Sequence, residues 1–369
     1  MMGELALRYP RNSLVVSTGA YENGAASDAR FPQPIDRVGV RATRLRTVQG
    51  LTLWTWRAIS LSMKWRPAFT WCGELKPAGY PARWVNALRG VPYGVIVYGT
   101  ELLLIDAKVR RSRFKRRTAG SILGKAAVIV AISRWTADLT RDVLRLLELD
   151  IPIETVPLGT TPEHFRPGID PNGVRVKYGL NGGPWLITVA RLEWHKGIDT
   201  VMRALPAIRR AHPGTRYAVA GIGDRLPQLE RLKDELGLGE AVRFLGAVPD
   251  QELPALYNAA DLYVGVSRRH DLLAEGFGIS LVEASACGLA VVGGRSGGVP
   301  DAVREGETGI LVDPDDPNAV AAGVSELLAN PTQRKQLGAA GRKAVETYYN
   351  WDRVARDLLE IDRRFRSTR

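Results

Sequence analysis

Glu275 and Glu283 are the residues whose types and surroundings indicate chemistry most strongly. They enclose a Gly-Phe-Gly turn and the start of an almost wholly apolar helical pattern that runs from Ile279. A carboxylate among apolar side chains is costly unless it is hydrogen-bonded, so Glu283 requires a partner. Glu275 precedes the positive end of the helix, which favours a carboxylate. The structural alternatives are a plain helix-end charge for Glu275 and a salt bridge to a core arginine for Glu283.

Cations and glycines also follow other predicted strands, at the edge of the sheet where the carboxyl ends of the strands lie. Arg191 and Lys196 stand in the loop after one strand, and Gly221 and Gly223 follow the next; a glycine run spans 293–298. In an open parallel sheet, ligands bind beyond the carboxyl ends of the strands. Arginine and lysine make charge-assisted hydrogen bonds to phosphate, and glycines let the backbone approach it closely. The pattern predicts a diphosphate site, with a set of tight structural turns as the alternative.

The elements that must position these residues are short apolar strands alternating with amphipathic helices. In the second half this alternation specifies an α/β fold, a parallel sheet covered on both faces. The first half repeats it less clearly and opens in a helical pattern over 2–9, where such a domain normally opens with a strand. The predicted strands are 13–17, 69–72, 94–98, 127–133, 185–190, 217–220, 242–245, 262–266, 289–292 and 310–312, and the predicted helices of the second half are 200–212, 227–235, 250–259, 279–286 and 300–304.

A segment rich in glycine, proline and asparagine, 157–184, is the predicted hinge. We therefore predict two Rossmann-like domains with parallel sheets facing a cleft. The N-terminal domain covers 1–165 and the C-terminal domain 166–350. A final helix at about 351–369 is expected to pack back on the first domain.

The composition excludes several classes of protein. The chain has 369 residues, 45% hydrophobic and 24% charged, which suits a soluble protein with two cored domains. Its longest apolar run, 126–133, is far shorter than the roughly 18 residues that indicate a membrane span. The start of the chain lacks the regions of a secretion signal, so we expect a cytoplasmic protein. Cys72 and Cys287 lie far apart in apolar contexts and are predicted to be buried thiols, with no disulfide or zinc site.

The net charge of +12 is concentrated in the first half. Residues 1–170 carry 25 Lys+Arg against 14 Asp+Glu, whereas residues 171–369 carry 26 against 25. The densest cluster is 108–117, and 51–66 interleaves tryptophans with cations as an interfacial helix does. The alternatives are a solvated basic surface, docking on anionic lipid or an anionic acceptor, and nucleic-acid binding. No nucleic-acid-binding signature accompanies the charge, so no nucleic-acid partner is expected.

Taken together, the motifs resemble those of retaining family 4 glycosyltransferases. The resemblance covers residues 151–350 closely and the first half more loosely. It implies the GT-B architecture, with a nucleotide-sugar donor held by the second domain and the acceptor by the first. It also implies metal independence and no cofactor. The motifs are Glu275-x(7)-Glu283, Arg191-x(4)-Lys196-Gly197, the Gly-x-Gly-Asp of 221–224 and the Gly-Gly-Val-Pro of 297–300.

The resemblance implies a role for each matching residue. Arg191 and Lys196 would hold the donor diphosphate and stabilise the leaving nucleotide as charge develops on it. Glu275 would bind hydroxyls of the transferred sugar, and Glu283 would accept hydrogen bonds from the ribose. No protein nucleophile is assigned. The remaining donor contacts implied are Gly221, Gly223, Phe277, Gly278 and Ile279, and the acceptor-side residues implied are Tyr98, Gly99 and Glu101.

Two features depart from the family pattern. The first domain of relatives usually begins with a strand and a Gly-Gly loop, and neither precedes Met1. The expectation is therefore a fold whose first strand is missing. Its expected cause is a start site placed too far downstream or a truncated product. Tyr98 stands where relatives often carry histidine, and tyrosine hydrogen-bonds without being a base at neutral pH. A formal Asp-x-Asp, Asp313-Pro314-Asp315, is predicted to be a turn after a strand rather than a metal site.

The predicted activity is transfer of a hexosyl unit from a nucleotide diphosphate sugar to a hydroxyl of a glycan or lipid-linked acceptor. The run 269–278 and the Glu-Ala-Ser-Ala that follows resemble the phosphatidylinositol mannosyltransferase-like branch, which favours GDP-mannose over a UDP-hexose. The basic 108–117 and the Trp-rich 51–66 place such an enzyme peripherally on the inner membrane face. The rival functions are a UDP-hexose-dependent enzyme of the same fold, a nucleotide-sugar-binding protein without turnover, and a basic nucleic-acid-binding protein.

Overall fold

The computed structural model describes residues 2–20, 28–39 and 46–366. The chain forms two compact units: unit 1 is Met1–Val156 with Trp351–Arg369, and unit 2 is Pro157–Asn350. The sequence-based division after residue 165 lies downstream of this boundary. Residues 1, 21–27, 40–45 and 367–369, which the predicted domains include, lie outside the described residues.

Unit 1 contains two parallel sheets among its described residues. One is the pair β1 (Val16–Gly19) and β2 (Ile35–Val38); the other has the order β3-β4-β5-β6, from β3 (Thr70–Cys72), β4 (Tyr93–Val97), β5 (Val128–Ala131) and β6 (Ile153–Thr155). Sequence analysis missed β2 and β6, which are short and only partly buried. The helices are α1 (Met2–Arg8), α2 (Arg46–Trp65), α3 (Gly79–Arg89), α4 (Thr100–Arg111), α5 (Arg113–Leu123) and α6 (Arg134–Leu147).

A cavity of about 370 Å³ lies between β1 and β3 in unit 1. Within the described ranges, β1 pairs only with β2, and β3 only with β4. Residues 13–18 and 69–74 line the cavity without interruption. Because neighbouring side chains of a strand point to opposite faces, such a lining means that the cavity follows the two strand edges. The further strand that the family resemblance implies stays a prediction.

Unit 2 is built on one six-stranded parallel sheet. Its strands are β7 (Trp185–Val189), β8 (Arg216–Ala220), β9 (Val242–Gly246), β10 (Leu262–Gly265), β11 (Val291–Gly294) and β12 (Gly309–Val312), in the order β12-β11-β10-β7-β8-β9. β7 and β10 therefore lie side by side at the switch point of a Rossmann-like sheet. The helices are α7 (Asn172–Tyr178), α8 (Ile198–Ala211), α9 (Leu226–Glu235), α10 (Leu253–Asn258), α11 (Ile279–Ala286), α12 (Val299–Ala302), α13 (Pro317–Ala329) and α14 (Pro331–Thr347).

Two segments differ from their sequence-based interpretation or extend it. The predicted hinge 157–184 contains helix α7, whose Lys177 and Tyr178 both bind Glu252, at 2.7 Å each. That segment is therefore an ordered part of unit 2. After α14 the chain returns to unit 1 as helix α15 (Trp351–Phe365). There Asp352 Oδ1 accepts a hydrogen bond from Arg8 Nε at 2.8 Å.

The packing of α14 against the end of α11 can be tested at Gly338. A Cβ atom there would lie 2.1 Å from the carbonyl oxygen of Gly288, which follows α11. We expect Gly338→Ala to lower the free energy of unfolding of unit 2 by about 1–3 kcal/mol, because the backbones must separate. The matched control is Gly173→Ala in α7, where a Cβ meets no atom within 4 Å. At Gly173, helix propensity predicts that the free energy of unfolding does not fall, and that it rises by at most about 1 kcal/mol. Urea unfolding measures both, and equal stability of the two variants would contradict the tight contact.

Candidate active site

Three loops of unit 2 meet at the carboxyl edge of the central strands. The loop after β7 carries Arg191 and Lys196, and the loop after β10 leads to Glu275. Backbone hydrogen bonds hold these loops together: Arg268 N–H donates to the carbonyl of His195 at 2.8 Å. The loop after β8 joins them through Leu192 N–H, which donates to the Ile222 carbonyl at 3.0 Å. The predicted convergence of the loops at one edge is observed in unit 2.

Lys196 and Glu275 form an ion pair at the centre of this edge. Lys196 Nζ lies 2.6 Å from Glu275 Oε2, and the two side chains are only 15% and 20% exposed. Ser267 Oγ donates to the same oxygen at 3.4 Å. Burial acts to raise the pKa of Glu275, but the Lys196 ammonium and these hydrogen bonds outweigh it and hold the pKa below its usual value. Glu275 is therefore ionised at neutral pH.

Arg191 projects outward from the same loop. Its side chain is 72% exposed, and its Nη1 lies 2.6 Å from Glu193 Oε1. The other oxygen of Glu193 lies 3.1 Å from Nδ1 of the buried His195. Burial and the neighbouring Lys196 lower the pKa of His195 to about 4, so its ring is neutral at neutral pH. Arg191 thus remains accessible to an anion, whereas Lys196 must exchange Glu275 for one.

Glu283 is the second carboxylate of the motif, and its partner is a tyrosine. Tyr257 in α10 donates its hydroxyl to Glu283 Oε2 at 2.8 Å. The core arginine considered as an alternative is not observed: no ion pair to Glu283 occurs in the described part of the chain. Burial raises the pKa of Glu283 to about 7, against the effect of the Tyr257 hydrogen bond.

The start of α11 presents backbone donors to this edge. Within the described ranges, the N–H groups of residues 277–280 donate no backbone hydrogen bond. Free N–H groups and the helix dipole make such an end favourable for an anion. The Phe277 side chain is buried and packs on Tyr349 with ring centroids 6.1 Å apart, so at Phe277 the backbone remains for ligand contact. Gly278 and Ile279 cap and begin the helix.

The glycines of these loops pack against protein backbone. At Gly221, which has a φ of +143°, a Cβ would lie 1.9 Å from the Ala190 carbonyl oxygen. At Gly223 a Cβ would lie 2.5 Å from the carbonyl oxygen of Leu192. These two glycines therefore let the loop after β8 lie directly on the loop after β7. The interpretation of these glycines as parts of tight structural turns agrees with this packing between loops. Direct contact of Gly221 and Gly223 with a donor stays a prediction.

The acceptor-side residues predicted by the resemblance come together in unit 1. Tyr98 follows β4, and its N–H donates to Glu101 at the start of α4, next to Gly99. Burial and the carboxylates of Glu101 and Glu74 raise the pKa of Tyr98 to about 12, so its hydroxyl stays protonated. Burial also raises the pKa values of Glu101 and Glu74. Sequence reasoning missed Glu74, whose only signal was its place after β3.

Metal ligation has no candidate in the described ranges, since no group of three His, Cys, Asp or Glu side chains there is arranged to hold an ion. The Asp313-Pro314-Asp315 sequence forms the predicted turn after β12, with Asp315 N–H donating to Asp313 Oδ1 at 2.9 Å. Cys72 and Cys287 are buried free thiols, as predicted. The metal independence implied by the resemblance stays a prediction.

Comparison with known proteins agrees with this geometry. Residues 174–344 match the family model described as glycosyl transferases group 1. This part of the chain is a group 1 glycosyltransferase domain. It contains Arg191, Lys196, Glu275 and Glu283, which form the candidate site.

Curated relatives resemble the chain over much of its length. It is 36% identical over 249 residues to a GDP-mannose-dependent alpha-(1-6)-phosphatidylinositol monomannoside mannosyltransferase of Mycolicibacterium smegmatis, covering 66% of this chain and 64% of the relative. It is 32% identical over 256 residues to a D-inositol 3-phosphate glycosyltransferase of Acidothermus cellulolyticus, covering 66% of this chain and 55% of the relative. The chain thus spans less than two thirds of the length of these relatives.

Solved structures share the fold of the chain. HepE of Anabaena in complex with UDP has a TM-score of 0.79 at 18% identity, over 98% of this chain and 94% of that chain. Sucrose-phosphate synthase from Thermosynechococcus elongatus has a TM-score of 0.73 at 22% identity, over 90% and 83% of the two chains. The predicted GT-B fold class, α/β with parallel sheets, is confirmed by these likenesses.

The coupling of Lys196 and Glu275 can be measured through stability. Removing either partner leaves a charge or an acceptor largely buried, so we expect Lys196→Met and Glu275→Gln each to lower the free energy of unfolding by about 1–3 kcal/mol. In the double variant no charge is left unpaired. Its loss is expected to be smaller than the sum of the single losses by about 0.5–3 kcal/mol, the range for groups in contact. Denaturant unfolding of the four proteins measures this, and strictly additive losses would contradict the pair.

Proposed function

We propose that the protein is a retaining glycosyltransferase that transfers a mannosyl unit from GDP-mannose to a hydroxyl of an inositol-containing lipid acceptor. The observation that carries the proposal is the Lys196–Glu275 pair beside the free N–H groups that open α11, inside a glycosyltransferase domain. The activity of the M. smegmatis relative supports the choice of donor and acceptor. A UDP-hexose donor is the alternative that the experiment below separates.

The reaction breaks the bond between the sugar C1 and the diphosphate oxygen and forms a bond from C1 to the acceptor oxygen. Negative charge develops on the departing diphosphate. Lys196 and Arg191 stabilise that charge, and the N–H groups at the start of α11 add hydrogen bonds to the phosphates. In a front-face displacement the acceptor proton passes to the leaving phosphate oxygen, and no protein nucleophile is assigned.

The two glutamates recognise hydroxyl groups of the donor. Glu275 is ionised at neutral pH, so it accepts hydrogen bonds from the hydroxyls of the transferred sugar when Lys196 turns to the diphosphate. Glu283 has one oxygen held by Tyr257, and its Oε1 has no hydrogen bond within the described residues. That oxygen is the acceptor for the ribose hydroxyls. Tyr98, Glu101 and Glu74 of unit 1 supply polar groups for the acceptor.

Membrane docking is proposed for a basic surface on unit 1, defined as the exposed residues of 108–117. Arg111, Arg113 and Arg117 have no ion pair in the described ranges, and Phe114 beside them is 69% exposed. Cations in the first turn of α5 oppose its helix dipole, so they do not serve helix stability. An anionic lipid surface would neutralise them. Among the described helices, none is long and apolar enough to cross a bilayer.

The Trp-rich helix α2 divides into two kinds of position. Trp56 is 69% exposed, and Leu53 and Met63 share its outer face. Trp54 instead donates to Ser17 Oγ at 2.9 Å and serves the packing of unit 1. The proposed insertion of α2 into a lipid interface therefore rests on Trp56 and its exposed neighbours.

Donor binding and turnover test the proposed activity. Calorimetry with GDP-mannose, UDP-glucose and UDP-N-acetylglucosamine should show micromolar binding of GDP-mannose, weakened by Arg191→Ala. Lys196→Ala and Glu275→Ala should each lower mannosyl transfer about 10²-fold or more, as loss of a transition-state contact does. Glu230→Ala, on the exposed face of α9, is the control. If only a UDP-sugar binds tightly, the proposed donor is wrong and the UDP-hexose alternative holds. If GDP-mannose binds but no sugar is transferred, the protein is a nucleotide-sugar-binding protein rather than an enzyme.

Vesicle binding tests the basic surface. The variant Arg111→Gln/Arg113→Gln/Arg117→Gln should lose most of its co-sedimentation with vesicles containing phosphatidylinositol, because each basic residue near such a surface contributes about 1 kcal/mol. The matched control removes the same charge from exposed positions of α8 in unit 2, as Arg203→Gln/Arg209→Gln/Arg210→Gln. Equal loss in both triple variants would indicate a general charge effect and contradict the assigned surface.

A further inference from the structure

The Glu283 carboxylate has a single hydrogen-bond partner in the described part of the chain, the hydroxyl of Tyr257. The donor and acceptor atoms, Tyr257 Oη and Glu283 Oε2, are 2.8 Å apart. Tyr257 comes from α10, in the connection between β9 and β10, whereas Glu283 lies within α11 after β10. Nothing in the sequence around either residue indicates this pairing, because the two residues are 26 positions apart on different helices.

Tyr257 is a rigid donor. Its side chain is fully buried, and its ring packs against Phe165 at 5.9 Å and Tyr263 at 6.0 Å between centroids. Burial, and then the charge of Glu283, raise the pKa of Tyr257 well above its usual value. The hydroxyl therefore stays protonated at any physiological pH and donates a hydrogen bond to Glu283.

The other titratable groups that face Glu283 do not favour its charged form. Asp250, which precedes α10, repels it, and Tyr263 of β10 and Cys287 at the end of α11 stay neutral under their own raised pKa values. No lysine, arginine or histidine in the described residues forms an ion pair with Glu283, and Arg342, near the end of α11, donates to the Ala286 carbonyl at 2.9 Å. The Tyr257 hydroxyl is thus the group that stabilises the carboxylate against burial.

We propose that Tyr257 is a positioning residue for donor recognition: its hydroxyl holds one oxygen of Glu283 and favours the ionised carboxylate, with the other oxygen available to the ribose hydroxyls. The inference rests on the proposed function, in which Glu283 binds the ribose. An ionised carboxylate accepts hydrogen bonds from both ribose hydroxyls, whereas a protonated one has lost part of that capacity.

The pH dependence of donor binding follows from this arrangement. Glu283 has a pKa of about 7, so its protonated form is populated below neutrality and its ionised form above. Donor affinity should therefore increase as pH rises through 7. Removing the Tyr257 hydroxyl removes a hydrogen bond that lowers the pKa of Glu283, so the midpoint of this increase should move to higher pH.

The test is Tyr257→Phe, which keeps the ring and deletes the hydroxyl. Calorimetric Kd values for GDP-mannose from pH 6 to 9 should show a Kd about 2–5-fold higher than wild type at pH 7 and within about 2-fold of it at pH 9, as a midpoint shift of 0.5–1 pH unit upward from about 7 requires. At saturating donor, kcat should be unchanged. A loss of the same size at every pH, or no loss at all, would overturn the inference.

The matched control is Tyr263→Phe, from the same aromatic cluster. The Tyr263 hydroxyl donates to Ser280 Oγ at 2.7 Å and makes no hydrogen bond to Glu283, so its removal should leave the pH midpoint in place. Glu283→Gln should bind the donor weakly with no midpoint near pH 7. If wild type binds no nucleotide sugar at any pH, the proposed function fails together with the inference. If wild type binds and Tyr257→Phe shows the wild-type pH profile, the inference alone fails.

Discussion

The ion pair between Lys196 and Glu275 is the constraint on which the candidate site depends. The two residues are 79 positions apart, yet their charged atoms are 2.6 Å apart and mostly shielded from water. Neither charge would be stable there alone, because a buried unpaired ion costs several kcal/mol. The pair therefore needs the loops after β7 and β10 to be held in register, which the parallel contact between these strands provides.

Glycines of unit 2 allow the close contact between these loops, in addition to any contact that they make with a ligand. Gly197 has a φ of +68°, and a Cβ there would lie 2.1 Å from the Val266 carbonyl oxygen at the end of β10. Gly297 would place a Cβ 2.3 Å from the carbonyl oxygen of Glu275, which already accepts a hydrogen bond from Gly298 N–H. The loops that carry Lys196 and Glu275 thus pack closely, because a side chain larger than glycine at Gly197 or Gly297 would overlap with backbone carbonyl groups. The edge proposed to bind the donor phosphates is therefore also a close-packed contact between loops.

The two units use charge in opposite ways. In unit 2 the important charges are paired and shielded, as in Lys196 with Glu275 and Arg268 with Asp199. In unit 1 several cations at the end of α4 and the start of α5 remain exposed and without an ion pair in the described ranges, beside the exposed Phe114. Paired charges stabilise a local structure, whereas unpaired ones of one sign attract an oppositely charged surface. This contrast is the physical basis for the proposal that unit 2 binds the donor and unit 1 contacts the membrane surface.

The amino-acid sequence by itself determined the six strands of unit 2, the helices between them and the residues that follow each strand. Helices α7, α13 and α14, which lie before the first strand or after the last, were not predicted. Predicted and observed strands there agree to within about two residues at each end, because apolar runs and helical periodicity are local signals. The sequence also indicated that Glu283 needs a partner, but not which one. Only the tertiary structure decided that Tyr257 is this partner, that Lys196 is held by Glu275, and that Trp54 is packed while Trp56 is exposed. Such pairings depend on burial and on contacts between distant residues, which no local pattern contains.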